Sequence, residues 1–285
     1  MRVLTWILCG VLLLVTGGAS NAYVSGHSQS VLPPARSEGP LHATDAALTA
    51  GIALPAAHAK QETVEKAVAT KIPVLMYHSI SDNPQNRLCL APTRFAEQME
   101  YLKQAGYHSI SFKDLEDWKA GKPLPVKPVL ITLDDGYRDN YTNAYPVLKR
   151  LHLKATVFLV TGFLNQKQFL TEEMVKEMAA DGLIEFGSHT RSHADLTTLP
   201  EDRLRSEIFQ SKAELETLLG TPVTAFCYPA GRLNEKTVNY VEKAGYHFAV
   251  TTRPGYAELS QGVLLLHRVR INGDLPLDQF KQMLP

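Results

Sequence analysis

The chain has 285 residues, and its 29 Lys and Arg balance 29 Asp and Glu. That balance supplies neither a basic surface for nucleic acid nor an acidic tail. Hydrophobic residues make up 45% and charged residues 20%, the composition of an ordinary globular protein with room for one large domain.

The first element is N-terminal. Arg2, the apolar run "VLTWILCGVLLLV" (Val3 to Val15) and the small residues of "TGGASNA" follow the order of a secretory signal, with cleavage expected after Ala22. The run is shorter than the ~20 residues a membrane-spanning helix needs. Cleavage is therefore preferred to a retained anchor, and the expected location is extracytoplasmic, secreted or in the cell envelope. Residues 23–70 are rich in Ala, Ser, Gly, Pro and His and show no lasting period, so they read as a disordered linker or tether, with a short helix around Glu62 to Ala69. Association with a cell wall or membrane surface is expected to run through this N-terminal segment. Beyond the signal only Cys89 and Cys227 remain, enough for one disulfide but not for a disulfide framework.

From residue 71 to 285, strand and helix patterns alternate. Apolar runs suited to buried strands occupy 73–78, 108–112, 128–133, 155–160, 183–188, 224–229, 248–252 and 263–271. Thr93 is placed to cap a helix carrying Phe95, Met99 and Leu102. A helix over 200–219 buries Leu204, Ile208, Leu215 and Leu218 and stops at Gly220. "LKQAGYHSI" and "VEKAGYHFA" repeat one junction, a helix ended by Gly106 or Gly245 and followed by a strand. Such alternation predicts a parallel sheet with helices outside, in α/β class, and this size favours a distorted or incomplete (β/α) barrel forming a single catalytic domain. No GxGxxG follows a strand and no GxxxxGK[ST] occurs, so no nucleotide cofactor is expected.

Ligands of such folds bind at the C-terminal ends of the strands. The residues at or just past those ends are His78, Asp134 and Asp135, His189 and His193, Tyr228, and His267. His189 and His193 stand at i and i+4, the same face of a helical turn, where two neutral imidazoles reach one ion. One of the two aspartates completes a set of two His and one carboxylate, which leaves open positions as catalytic zinc sites do. Its neighbour is then free to take a proton. Gly136 turns the backbone there, so the two acids need not diverge as they would inside a strand.

Together "TLDDGY" (Thr132 to Tyr137), "SHTRSH" (Ser188 to His193), "FCYPAG" (Phe226 to Gly231) and the "ATVFLV" strand resemble the polysaccharide deacetylase domain, also called the NodB-homology domain or carbohydrate esterase family 4. The resemblance covers residues 72–285. It implies a distorted (β/α) barrel, one divalent metal ion, zinc first with cobalt, nickel or manganese as alternatives, and deacetylation of amino sugars in a polysaccharide. Residue by residue it implies Asp134 as the general base and Asp135, His189 and His193 as the metal ligands. The amide of Ala230 would serve the oxyanion. The general acid would be His267 in "LLLH", with His78 as rival. Where the family often carries Arg-x-Pro-Tyr-Gly this chain has Cys227 and Ala230, so the Arg that orients the base must be replaced by another group. His78, Tyr137, Tyr228 and Ala230 are the expected substrate contacts, and Tyr137, Tyr228 and Trp118 the expected sugar platforms of an open groove. The expected products are acetate and a free amino sugar from peptidoglycan, poly-N-acetylglucosamine or a chitin-like polymer. An O-acetyl polysaccharide esterase and a non-catalytic cell-wall carbohydrate-binding module are the competing readings.

Overall fold

The computed structural model describes residues 66–67, 70–273 and 275–285. The expected signal segment and most of the expected linker lie outside the described residues. In chain order the strands are β1 (Lys66–Ala67), β2 (Val74–Tyr77), β3 (His108–Ile110), β4 (Leu124–Pro125), β5 (Pro128–Leu133), β6 (Ala155–Leu159), β7 (Ile184–Ser188), β8 (Ala225–Cys227), β9 (Phe248–Pro254) and β10 (Leu266–Arg270). The helices are α1 (Pro92–Gln104), α2 (Phe112–Lys119), α3 (Tyr145–Leu151), α4 (Glu172–Ala180), α5 (Glu201–Arg205), α6 (Ser211–Leu219), α7 (Glu235–Lys243) and α8 (Leu277–Gln282). Among the described residues no helix is long and apolar enough to cross a membrane.

Strands β5, β6, β7, β8, β9 and β10 pair in succession, and β2 pairs with both β10 and β5, so seven parallel strands close into a barrel. β3 is an eighth parallel strand, joined to the first half of β5 with Ile110 opposite Leu130. All eight strands expected for the domain are present. Closure follows from their composition. Strands β2, β5, β6 and β8 are buried along their whole length on both faces, so the sheet needs helices outside and a packed interior. Side chains alternate across the barrel wall. Val74, Leu130, Phe158, Cys227, Val250 and Leu266 belong to one buried cluster, while Leu75, Ile131, Val157, Phe226 and Val269 join helix residues such as Phe95, Met99, Leu148 and Leu215 in the other.

Three local expectations are corrected. Residues 66 and 67 form an antiparallel pair with β4 where a short helix was expected. The first barrel helix has Pro92 at its start and Ala91 at its N-cap, so Thr93 lies inside it; a fixed proline φ suits that first helical position. The stretch 200–219 is α5 and α6 joined by a π-turn, Ser206–Gln210, rather than one regular helix. Its expected end holds, with Gly220 left-handed at φ 68°.

Candidate active site

Strands β2 and β5 run level, Met76 opposite Thr132 and Tyr77 opposite Leu133, which brings His78 beside Asp134 at the same end of the barrel. Asp134 extends the inward side of β5 and is 2% exposed. A carboxylate there requires a partner, because an unpaired buried ion costs several kcal/mol. The partner is Arg268 of β10, itself 0% exposed. Its two terminal nitrogens donate to Asp134 Oδ1 and Oδ2 at 2.8 and 2.7 Å, a bidentate fork. Arg268 Nε donates to the carbonyl of Thr251 at 2.8 Å, and Nη1 to Thr132 Oγ1 at 3.1 Å. Burial raises the carboxyl pKa of Asp134, but the guanidinium outweighs it and holds the group well below the usual range.

Asp135 is turned away from its neighbour by a left-handed backbone, φ 73°, followed by Gly136 at φ 75°. A Cβ on Gly136 would stand 2.6 Å from Leu159 Cδ2, so both the turn and the close approach favour glycine. Asp135 thus leaves the Arg268 pocket and meets the histidines. Its Oδ1 lies 3.4 Å from His189 Nε2 and 3.6 Å from His193 Nε2. The phenol of Tyr137 is hydrogen-bonded to its carboxylate.

The two histidines do not sit on a helical turn. Residues 189–193 form an irregular loop after β7, with Thr190 at φ 70° and His193 at φ 57°. The convergence expected from i, i+4 spacing is achieved by backbone reversal instead. His189 Nδ1 bonds the carbonyl of Cys227 at 2.7 Å, which leaves Nε2 for Asp135. Burial lowers the pKa of both imidazoles and raises that of Asp135.

These three side chains fit a metal ion. Their donor atoms lie within 4.8 Å of one another. Contacts of 3.4 and 3.6 Å are too long for good hydrogen bonds. They are close to the separation of about 3.3 Å between ligands of a tetrahedral ion with bonds of ~2.0–2.1 Å. Neutral imidazoles and a backbone-anchored Nδ1 are the state a ligand set requires.

Residues 121–249 match the family model described as polysaccharide deacetylase. YxkH of Bacillus subtilis (strain 168), which carries that name, is 42% identical over 203 residues, 71% of this chain and 72% of its own length. The chain belongs to the polysaccharide deacetylase family. It is accordingly a hydrolase of non-peptide carbon–nitrogen bonds. The poly-β-1,6-N-acetyl-D-glucosamine N-deacetylase of Escherichia coli (strain K12) is 25% identical over 255 residues, covering 74% of this chain and 38% of that protein. The solved Streptococcus pyogenes deacetylase PplD, in complex with acetate, matches with a TM-score of 0.71 and 31% identity over 75% of this chain and 98% of its own.

In this deacetylase the cationic partner of Asp134 is Arg268, supplied by β10. Cys227 faces the same pocket, its Sγ 3.2 Å from Arg268 Nη2 and 3.6 Å from Asp134 Oδ2. Burial pushes the thiol pKa well above its ordinary value. Cys89 and Cys227 are both free, so the possible disulfide is not formed. Sequence reasoning passed over Arg268, yet a signal was there: an arginine two residues after Leu266 occupies an inward position of an apolar strand and has to find an anion.

The two candidate acids separate. His78 keeps 11% of its side chain exposed, with Nε2 3.8 Å from Asp134 Oδ2, and desolvation lowers its pKa to about 4. His267 stands on the opposite side of β10 from Arg268, by strand alternation. Its ring lies near Gly255 and its amide is bonded to Gln261, so the structure does not bring it into the Asp134 cluster. The rest of "DDGYRDN" supports His78. Asn140 Nδ2 donates to the His78 carbonyl at 2.9 Å, and Asp139 accepts from Ser79 Oγ and the Ile80 amide at 2.6 and 2.8 Å.

Of the expected sugar platforms, Tyr137 alone is partly exposed. It stacks on Phe169 at 5.3 Å, and burial with the nearby Asp135 carboxylate pushes its pKa up to about 12. Tyr228 is fully buried beside Phe226, on the outer face of β8 opposite Cys227, and cannot offer a sugar face. Trp118 is buried in the cluster with Phe112, Leu115 and Leu124. Ala230 is exposed at φ 52° in the turn after β8, where its backbone rather than its side chain is on offer.

Proposed function

We propose that this deacetylase removes acetyl groups from N-acetylated amino-sugar polymers outside the cytoplasm, with poly-N-acetylglucosamine as its first candidate substrate and one divalent ion held by Asp135, His189 and His193. The carrying observation is the division of labour between adjacent acids: Asp135 is turned to two neutral histidines, while Asp134 is fixed by a buried arginine. The named activity of the E. coli relative supports the choice of polymer.

When bound, the ion would supply Lewis-acid chemistry, polarising the acetyl carbonyl and acidifying a water molecule. Zinc suits two histidines and a carboxylate, and cobalt, nickel or manganese could occupy the same donors. Arg268 keeps Asp134 ionised and pointed at the site, so its carboxylate can accept the proton of the attacking water. That pairing makes Asp134 a weak base on its own. His78 Nε2, adjacent to Asp134 Oδ2, is the proton carrier to the leaving amine. The amide of Ala230 is the chain's candidate donor to the oxyanion. Acetate and a free amino sugar leave.

A cleft of about 400 Å³ opens beside Tyr137, lined by Ser81, Asn83, Asn86, Arg138 and Gln168 among others. These are hydrogen-bonding side chains suited to the hydroxyls of neighbouring sugars. Binding them at a distance from the reacting bond can raise the rate.

The test is acetate and free-amine release from N-acetylglucosamine monomer to pentamer, with and without a chelator, beside an O-acetylated polysaccharide. Rising kcat/KM with length, abolished by chelation and restored by zinc, is expected. Release from the ester substrate alone would point to an O-acetyl esterase, and no release from any substrate to a binding module.

A further inference from the structure

The loop that carries both histidines is held in a conformation that its own residues disfavour. Thr190 and His193 have positive φ, a left-handed backbone that non-glycine residues adopt only at a cost. Such strain persists only where the surroundings over-determine it. The source here is the π-turn Ser206–Gln210 between α5 and α6. Single π-turns inside helices recur at functional positions.

Glu207, on that turn, is 3% exposed. Its Oε2 accepts from the amides of Arg191 and Ser192 at 2.9 and 2.8 Å, and its Oε1 from the Ser192 hydroxyl at 2.6 Å. Ser211, four residues on, shares a 2.8 Å hydrogen bond with Ser188 Oγ, which in turn accepts from the Thr190 amide at 3.2 Å. The His193 amide donates to Thr190 Oγ1 at 3.0 Å. Every amide from residue 190 to 193 is therefore satisfied by a side-chain oxygen, and two of the four bonds end on one carboxylate.

We infer that Glu207 is a positioning residue of the metal site: it fixes the loop so that His189 and His193 present Nε2 to Asp135. It touches neither histidine side chain and acts through the backbone between them. This inference rests on the metal reading proposed above.

The test uses the full chain, depleted of metal, with zinc affinity measured by competition against a chromophoric chelator and metal-free thermal unfolding recorded in parallel. Glu207→Leu leaves two buried amides without an acceptor and is expected to weaken zinc binding 10–100-fold, the usual range for groups that orient ligands. Glu207→Gln keeps one acceptor oxygen for the amides but loses the charge, and a smaller loss of about 3–10-fold is expected. Leu215→Ala, in the core under α6, is the control. It should lower the unfolding temperature while leaving zinc affinity within twofold. If Glu207→Leu does not fold, Glu207→Gln decides alone. Zinc affinity within twofold of wild type in the folded Glu207 variants, or an equal loss in Leu215→Ala, would overturn the inference. A wild-type chain that binds no zinc would instead overturn the metal reading.

Discussion

Arg268→Met tests the least expected feature of the site. The substitution keeps an apolar stem of similar length and removes the fork on Asp134, a carboxylate that is 2% exposed. Removing one partner of a buried pair costs about 3–5 kcal/mol, because the other charge is left uncompensated. For a domain of this size, a loss of that order lowers Tm by roughly 6–20 °C. The effect should depend on pH, with a definite sign. In the wild type Asp134 titrates below its ordinary value, so its contribution is intact above pH 4 and is lost only as pH falls further. Without the arginine, burial dominates and the folded pKa rises above the unfolded one. Ionisation then opposes folding as pH increases through that range, and the Tm gap to wild type should widen from pH 5 to pH 7. Thermal unfolding by circular dichroism at both pH values, with kcat/KM on an N-acetylglucosamine oligomer, provides the measurement. Arg268→Lys retains charge without the planar fork and should fall between. A gap that is small and independent of pH would refute the claim that Arg268 holds the base.

The two aspartates should separate cleanly: Asp135→Ala loses zinc and activity together, while Asp134→Asn keeps zinc by elemental analysis and loses ~10²–10⁴-fold in kcat. His78→Gln should lower kcat by a comparable factor, whereas His267→Gln should stay within about threefold of wild type; the reverse ranking would return the proton carrier to β10. His78 is driven to about 4 by burial, below its unfolded value of 6.5, so its stabilising contribution is full above pH 6.5 and lost as pH falls towards 4. That loss is on the order of 3 kcal/mol, and the metal-free Tm should decline over this window with a shallower slope in His78→Gln.

Strand composition made the barrel legible before any coordinates: runs such as "PVLITL" and "ATVFLV" are apolar on both faces, which only a covered parallel sheet tolerates. The Asp134, Asp135, His189 and His193 set was legible because each stands at a strand end. What escaped had causes in three dimensions. His189 and His193 converge through left-handed residues that no helical periodicity anticipates. Tyr228 was misread because the inward position of β8 belongs to its neighbour Cys227, and parity along a three-residue strand is hard to fix from sequence. His267 was the expected acid and Arg268 went unweighed, although one register step along β10 decides which of the two side chains enters the barrel. Glu207 contacts the loop across 15 and 16 residues of chain, and no local pattern reports that.

The Arg268 fork bears on how catalytic sites in closed barrels change over time. Cys227 and Arg268 approach the same carboxylate from β8 and β10, with β9 between them along the sheet. Because the wall is circular, inward positions on non-adjacent strands converge on one axis and become alternative suppliers of a single charge. A substitution on one strand can therefore be offset by another some 40 residues away, provided both project at the same depth. Equivalence between relatives is then a matter of height along the barrel axis, and a motif that looks degraded along the chain can be complete across it.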